Sequence, residues 1–212
     1  MTSASALRGL YLITPDADDS GHLLERVTAV LPARPALLQY RNKRADVQRR
    51  RREALALKTL CDAAGVPLVV NDDWRLALDI GAAGAHLGED DGDLAAVRRA
   101  APTLLLGASC YDDPARAAAA ARDGASYLAF GAFFPTRTKA TTRRATPALL
   151  RDAAAHGLPR VAIGGITSDN ASLLLAAGAD LLAVVSAVFD APDPCAAAQR
   201  FAALFALTSG TR

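Results

Sequence analysis

The chain has 212 residues, 51% of them hydrophobic, and its 24 Lys and Arg against 22 Asp and Glu leave a net charge of +2. This length favours one domain, and without the roughly 18–20 unbroken apolar residues that a membrane span needs we expect a soluble protein. The small charge without a basic stripe argues against a nucleic-acid partner, and three cysteines without pairing or ligand spacing argue against a disulfide framework or a zinc site.

The N-terminal segment from Met1 to Gly9 has no basic region, long apolar stretch or small-residue cleavage site before the first apolar run. We therefore expect a cytoplasmic protein in which residues 1–9 form a loosely ordered extension. One domain is expected over residues 1–212, and the sequence leaves the oligomeric state open.

Eight short apolar runs alternate with helix-like stretches along the chain. The runs are nearly continuous, which is typical of strands buried on both faces beneath helices. An open doubly wound sheet uses the same alternation, but eight units in 212 residues favour closure into an α/β fold, the (β/α)8 TIM barrel. Strands are predicted near Leu10 to Thr14, Ala36 to Tyr40, Leu68 to Val70, Ala85 to Leu87, Leu104 to Gly107, Tyr127 to Gly131, Val161 to Ile163 and Leu181 to Val185.

The ends of the helices are marked by a few residue types. Asp113, Thr146 and Asp193 each precede a proline, which predicts a capping oxygen followed by the first helical turn. Ser168-Asp169-Asn170 is predicted to cap a further helix. Glycines that end helices in a left-handed conformation are predicted at Gly65, Gly81, Gly124, Gly157 and Gly178.

The strongest run of charge, Arg49 to Arg52, lies within a predicted helix. We interpret this run as the solvated outer face of that helix, because its apolar positions keep helical spacing. Those positions are Val47, Ala54, Leu57, Cys61 and Ala64.

Polar residues that could bind a ligand or take part in a reaction follow the predicted strands. In a parallel barrel all carboxyl ends lie on one face, where barrel enzymes keep their active sites. Gln39, Arg41 and Lys43 alternate after the second strand, so their side chains project to one side. The alternative is an exposed strand end that makes surface ion pairs.

Carboxylates follow the third and fourth strands, in Asn71-Asp72-Asp73 and in the stretch from His86 to Asp91. Mg²⁺ prefers one or two protein carboxylates together with water and phosphate oxygens, so this pair of loops predicts a magnesium site. Alternatively, Asp73 and Asp91 cap the following helices. His86 is interpreted as a structural residue of the strand interior.

Two further loops have features of phosphate sites. Thr136, Thr138 and Lys139 lie in a long polar loop, which is either a lid over a phosphate or a mere connection. Gly164-Gly165 and Val185-Ser186 follow the seventh and eighth strands, where barrels bind phosphate through backbone N–H groups. Together the loops predict two anionic groups on the ligand, one of them a pyrophosphate with Mg²⁺.

Across the chain from Leu10 to Ser186 these motifs resemble the thiamine phosphate synthase family, in the family's order and spacing. The resemblance implies a transferase of thiamine biosynthesis that joins a hydroxymethylpyrimidine pyrophosphate to a thiazole phosphate, plain or carboxylated, and releases pyrophosphate with the help of Mg²⁺. The matching motifs are Gln39-Tyr40-Arg41-Asn42-Lys43, Asn71-Asp72-Asp73, His86-Leu87-Gly88, Pro135-Thr136-Arg137-Thr138-Lys139 and Ala162-Ile163-Gly164-Gly165-Ile166.

The resemblance also implies roles for single residues. Gln39 would hold the pyrimidine, and Asp72 with Asp91 would hold the metal. The thiazole phosphate would lie among Thr136, Thr138, Gly165, Val185 and Ser186. The pyrophosphate would be bound by Arg41, Lys43, Asn71, Ser109 and Lys139, and four of these, Arg41, Lys43, Ser109 and Lys139, would assist its departure in a dissociative reaction.

One position departs from the family pattern, because Glu89 stands where the family usually has Gln. This leaves Glu89 and Asp90 open as metal ligands beside Asp91. Three other functions remain as alternatives: a thiazole tautomerase of the same family, a noncatalytic barrel that binds thiamine phosphate, and a sugar-phosphate isomerase.

Overall fold

The computed structural model describes residues 7–136 and 142–207. Eight parallel strands close into a barrel in chain order, with β1 paired to both β2 and β8. The predicted (β/α)8 architecture and all eight strands are confirmed. The strands are β1 Gly9–Ile13, β2 Leu37–Tyr40, β3 Leu68–Asn71, β4 Gly84–Leu87, β5 Leu105–Tyr111, β6 Tyr127–Phe130, β7 Arg160–Ile163 and β8 Leu181–Val184.

Helices follow the strands and form the outer layer of the barrel. Short 3₁₀ helices at Leu31–Ala33 and Ala153–His156 extend two of the connections. No helix within the described ranges has the length and apolar character needed to cross a lipid bilayer. The α-helices are α1 Ser20–Val30, α2 Val47–Ala64, α3 Trp74–Asp79, α4 Leu94–Ala100, α5 Pro114–Arg122, α6 Pro147–Asp152, α7 Ala171–Ala176, α8 Ser186–Phe189 and α9 Pro194–Leu207.

Two of the predicted caps form as expected. The carboxylate of Asp113 accepts backbone N–H groups of α5, and that of Asp193 accepts the N–H of Ala196 at 2.9 Å. Thr146 precedes α6 as predicted, but its hydroxyl caps none of the described N–H groups of that helix. All five predicted glycines have positive φ, which confirms their left-handed conformation.

The strands are buried on both faces, which explains their unbroken apolar sequence. Side chains that point outward pack against the helices, and those that point inward fill the barrel. The inner cluster includes Tyr11, Leu37, Val69, Tyr127 and Leu181. Two phenols therefore lie among aliphatic residues in the interior, which requires hydrogen-bond partners for their hydroxyl groups.

Two boundaries and the exposure of one residue differ from the sequence-based expectation. Strand β5 continues to Tyr111, so Ser109 lies within a strand and not in the loop after it. Leu7 is buried and Gly9 begins β1, so residues 7–9 are part of the barrel and not of the expected extension. Val47 begins α2 but is 72% exposed, because the first turn of that helix extends beyond the packed surface.

Candidate active site

The predicted site residues converge at one end of the molecule. Because all eight strands of the closed barrel are parallel, their carboxyl ends form a common rim. The described candidates at this rim are Gln39, Arg41 and Lys43 at and after β2, Asn71 and Asp72 at the end of β3, Asp91 after β4, Ser109 in β5, Thr136 after β6, Gly165 after β7, and Val185 and Ser186 after β8.

Arg41 is held by the loop that follows β1. Its guanidinium Nη1 lies 2.9 Å from Asp16 Oδ2. The Thr14 hydroxyl accepts the N–H of Arg41 at 2.8 Å and donates to the carbonyl of Arg41 at 2.7 Å. Asp16 also accepts the backbone N–H of Lys43 at 2.7 Å. Neighbouring loops thus fix both the backbone and the side chain of Arg41.

Lys43 joins the cationic segment to the acidic loops. Its ammonium pairs with the carboxylate of Asp72, and the carboxyl group of Asp72 shares a hydrogen bond with that of Asp91. Two neighbouring carboxyl groups that are both ionised repel each other, and a cation bound between them relieves that repulsion. The pair is therefore a set of hard oxygen donors, of the kind that binds Mg²⁺.

The pKa values of the two carboxyl groups are shifted in opposite directions. Burial disfavours ionisation of Asp72, but Lys43 and the hydrogen bond with Asp91 hold its pKa below the usual value. Burial and the neighbouring Asp72 raise the pKa of Asp91. No group of three or more His, Cys, Asp and Glu side chains within residues 7–136 and 142–207 is arranged to hold a metal. A magnesium ion here would take most of its oxygen ligands from substrate and water.

The local backbone explains which aspartates are available. Asp73 Oδ1 accepts the N–H of Leu76 at 2.9 Å and caps α3, so the capping interpretation is right for Asp73. It is wrong for Asp91, because α4 is capped by Asp93 and Asp91 Oδ2 accepts the N–H of Gly88 at 2.7 Å.

Asp72 adopts a left-handed conformation with φ of 64°. Aspartate tolerates this region better than most residues because its short polar side chain bonds locally. The N–H of Asp72 donates to the carbonyl of His86 at 2.8 Å. The chain thus turns sharply after β3, and this turn places the Asp72 carboxyl group beside the ammonium of Lys43 and the carboxyl group of Asp91.

A hydrogen-bonded chain of side chains forms the floor of the site. Gln39 Nε2 donates to the Tyr11 hydroxyl at 2.6 Å, and this hydroxyl lies 2.8 Å from that of Tyr127. His86 Nδ1 lies 3.2 Å from the Tyr127 hydroxyl, and His86 Nε2 lies 2.9 Å from Ser109 Oγ. Burial raises the pKa of both Tyr11 and Tyr127, so both remain neutral phenols. Five strands are linked across the barrel in this way.

The opposite part of the rim is built from the loops after β6 and β7. Gly165 has φ of 63°, and a Cβ atom there would overlap Phe134 and the carbonyl of Pro135. The N–H of Phe134 donates to the carbonyl of Gly164 at 3.0 Å. Thr136 follows directly, so this candidate residue lies near the Gly165 turn. Val185 and Ser186 lie at the start of α8.

The predicted cap at Ser168-Asp169-Asn170 has a different role. Asn170 precedes α7, but its side chain makes no capping bond to the described residues of that helix. Instead, Asn170 Nδ2 donates to the carbonyl of Gly165 at 3.0 Å, and Asn170 Oδ1 accepts the N–H of Thr167 at 2.9 Å. This side chain therefore stabilises the turn that contains Gly165.

Two predicted residues, Thr138 and Lys139, lie outside the described residues. The end of the same loop is described: Arg143 Nη2 donates to Glu89 Oε2 at 3.0 Å. Glu89 therefore faces Arg143, whereas Asp91 faces Asp72. This arrangement favours Asp91 over Glu89 as a metal ligand.

Sequence reasoning missed several residues that shape the site. Thr14 and Asp16 follow β1 directly, so the rule that strand ends carry function would have found them. Tyr11 and Tyr127 gave no such signal, because a tyrosine within an apolar strand is typical of core packing.

Comparison with known proteins gives consistent matches. A family model described as thiamine monophosphate synthase matches residues 10–188. The chain is 56% identical over 206 residues to a thiamine-phosphate synthase of Xanthomonas campestris pv. campestris, covering 97% of this chain and 99% of the relative. It is 57% identical over 202 residues to a thiamine-phosphate synthase of Azoarcus sp., covering 94% of this chain and 98% of that relative. A solved structure of thiamine phosphate pyrophosphorylase from Pyrococcus furiosus superposes on this chain with a TM-score of 0.85 at 30% sequence identity. The match covers 96% of this chain and 98% of that structure.

Proposed function

The chain belongs to the thiamine monophosphate synthase family, and we infer that it acts as a transferase coupling a pyrimidine to a thiazole with release of pyrophosphate. The substrates are hydroxymethylpyrimidine pyrophosphate and a thiazole phosphate, and the products are thiamine phosphate and pyrophosphate. The observation that carries this assignment to the residues is the juxtaposition of Arg41 and Lys43 with Asp72 and Asp91 at one rim.

The first step assigned to these residues is binding of the leaving pyrophosphate. The backbone of Arg41 is fixed at both its N–H and its carbonyl group. Its guanidinium therefore loses little conformational entropy when it binds an anion. Lys43, Asn71 and Ser109 add donors from the loop after β2, from β3 and from β5, and Lys139 is proposed as a further cation. In the proposed complex, the donors bind the oxygens on which negative charge grows as the carbon–oxygen bond breaks.

Asp72 and Asp91 are proposed to hold one Mg²⁺. The fit rests on the donor set: the carboxyl groups of Asp72 and Asp91 face each other, and a divalent cation between them would relieve their mutual repulsion. When bound, the ion neutralises charge on the departing pyrophosphate. Lys43, which pairs with Asp72, would supply a positive charge to the same phosphate oxygens.

The reaction is proposed to be dissociative. Pyrophosphate leaves first, and the thiazole nitrogen then captures the pyrimidine-methyl cation. Donors that bind the leaving group more strongly as its charge develops lower the barrier by several kcal/mol. Gln39 is proposed to orient the pyrimidine, since its amide is fixed to Tyr11 at the floor of the barrel. This route needs neither a protein nucleophile nor a general base.

The thiazole phosphate is proposed to lie at the other side of the rim. Gly165 allows a tight turn against Phe134 and Pro135 that a side chain would prevent, and its partly exposed backbone is proposed to bind the phosphate. Thr136, Thr138, Val185 and Ser186 are proposed to add hydroxyl and backbone donors.

The test is pyrophosphate release by the purified protein with Mg²⁺ and both precursors. Release should need both precursors and should fall to background with either one alone. Isomerisation of a thiazole carboxyphosphate without coupling would identify the tautomerase instead. Tight binding of thiamine phosphate without any turnover would identify a noncatalytic barrel.

A further inference from the structure

A buried carboxylate outside the barrel lies directly behind the cationic segment. Glu53 on α2 is 1% exposed and accepts four hydrogen bonds from three parts of the chain. The donors to Oε1 are the Ser20 hydroxyl at 2.6 Å and Arg49 Nε at 2.7 Å. The donors to Oε2 are the Tyr40 hydroxyl at 2.7 Å and Asn42 Nδ2 at 3.0 Å.

Such a group is costly to bury, because an ion loses its hydration when it leaves water. An apolar residue at this position of α2 would avoid that cost. Burial opposes ionisation of Glu53, but the hydrogen bonds from Ser20, Asn42, Tyr40 and Arg49 outweigh it and lower the pKa. Glu53 is therefore a fixed negative charge that binds these parts of the chain together.

The alternation of the strand explains why Glu53 is coupled to the site. Gln39 and Tyr40, the last two residues of β2, point to opposite faces: Gln39 contacts Tyr11 inside the barrel, and Tyr40 contacts Glu53 behind it. The donors Tyr40 and Asn42 both bind Glu53. The residues that flank Arg41 are thus fixed from behind, while Arg41 itself faces the rim.

A second connection runs through the loop after β1. Asn42 Nδ2 also donates to the carbonyl of Ala17 at 2.9 Å, and Asn42 Oδ1 accepts the N–H of Ala17 at 3.3 Å. Arg49 donates to the same carbonyl. Asp16 precedes Ala17 and contacts both Arg41 and Lys43. The Glu53 cluster therefore also fixes the carboxylate that orients the two cations.

This arrangement corrects one interpretation of the sequence. The run Arg49 to Arg52 was expected to be a solvated face, and Arg51 and Arg52 are indeed exposed. The Arg49 side chain, in contrast, is 18% exposed and turned toward Glu53. One arginine of the run belongs to the support of the site.

We propose that Glu53 is a positioning residue for the reaction, which holds segment 40–43 and the Asp16 loop so that Arg41 and Lys43 meet the pyrophosphate. The proposal rests on the proposed function, because it assumes that these two cations bind that group. Glu53 touches no reacting atom and acts through Tyr40, Asn42 and the Asp16 loop.

The experiment compares Glu53→Gln with a matched control, Asp180→Asn. Asp180 is a largely buried carboxylate that accepts the backbone N–H and Nε of Arg160, at 3.0 Å and 3.1 Å, at the opposite end of the barrel. Both changes remove a charged acceptor from a buried ion pair, so both should destabilise the fold. Folding is monitored by circular dichroism and urea unfolding, and all binding is measured where each variant is folded.

The binding probe is inorganic pyrophosphate with Mg²⁺, measured by calorimetry, alongside steady-state kinetics. Glu53→Gln should raise the pyrophosphate Kd and the KM for the pyrimidine pyrophosphate by about tenfold. A tenfold change in Kd corresponds to a loss of about 1.4 kcal/mol in binding free energy. The KM for the thiazole phosphate should stay within about twofold. Asp180→Asn should leave all three constants within about twofold.

A milder variant and a double-mutant cycle guard against misfolding. Tyr40→Phe removes one of the four donors and should weaken pyrophosphate binding in the same direction by about two- to fivefold. In an Arg41→Ala background, Glu53→Gln should weaken pyrophosphate binding by no more than about threefold, because the group through which it mainly acts is gone.

The outcomes separate the two claims. A wild-type protein that does not couple the precursors refutes the proposed function. A wild-type protein that couples them, with a Glu53→Gln variant that matches Asp180→Asn or weakens both substrates equally, refutes the positioning role. The positioning role is also refuted if the effects of Glu53→Gln and Arg41→Ala on the free energy of pyrophosphate binding are fully additive.

Discussion

His86 Nε2 lies 2.9 Å from the hydroxyl oxygen of Ser109, and this contact joins the interior of the barrel to its rim. The other ring nitrogen of His86 faces the Tyr127 hydroxyl at 3.2 Å, and the two rings stack with centroids 5.6 Å apart. A residue expected from sequence to be merely structural therefore supports the hydroxyl that we assign to the pyrophosphate.

The first prediction concerns Tyr127. Tyr127→Phe removes the hydroxyl that links Tyr11 to His86 and leaves buried polar groups without a partner. We expect a loss of about 1–3 kcal/mol in the free energy of unfolding. Urea unfolding at constant m value measures it. A variant as stable as the wild type would show that this hydroxyl contributes nothing net to the floor of the site.

The second prediction concerns the cations. Arg41→Ala and Lys139→Ala should each lower kcat by about 100-fold or more, as loss of a transition-state donor does. Arg51→Ala is the control, because Arg51 of α2 forms an exposed ion pair with Asp79 of α3, so its loss should leave kcat within about twofold. Wild-type rates in both Arg41→Ala and Lys139→Ala would contradict the proposed mechanism.

The third prediction concerns magnesium. Asp72→Asn and Asp91→Asn should each raise the Mg²⁺ concentration that gives half-maximal rate by about tenfold or more, since each removes a charged oxygen ligand. Asp73→Asn changes the cap of α3 and should leave the Mg²⁺ dependence unchanged. Equal Mg²⁺ dependence in all three variants would place the metal elsewhere.

The fourth prediction compares two glycines with nearly the same φ. Gly165→Ala must overlap Phe134 and Pro135, whereas a Cβ atom at Gly157 has no heavy atom within 4 Å among the described residues. Both variants carry the strain of a positive φ, which costs about 1 kcal/mol. Only Gly165→Ala should also raise the KM for the thiazole phosphate. An equal KM in the two variants would remove Gly165 from that part of the site.

The fifth prediction concerns the thiols. Burial raises the pKa of both Cys61 and Cys110 to about 12, so their reactive thiolate forms are scarce at pH 8. Cys195 is partly exposed. Titration of the native protein with a thiol reagent should therefore modify Cys195 first, with all three reacting only after denaturation. Coupling activity should survive modification of Cys195, because no step of the proposed reaction uses a thiol, and loss of activity would contradict that expectation.

Much of the fold followed from local patterns. The apolar runs identified all eight strands because strands buried on both faces need unbroken apolar sequence. Asp113 and Asp193 identified helix starts, since their oxygens satisfy N–H groups that no helix can satisfy alone. The apolar run before Gln39, Arg41 and Lys43 likewise placed these residues at and after the end of β2.

The division of labour among similar residues was decided only by tertiary structure. Asp73 and Asp91 read alike in the sequence, yet one caps a helix and the other meets Asp72 across two loops. Arg49 and Arg51 lie two positions apart in one run, but Arg49 alone of the two turns toward buried Glu53. Partners separated by many residues are fixed by barrel closure and by the need to satisfy buried polar groups, and neither is written in a local pattern.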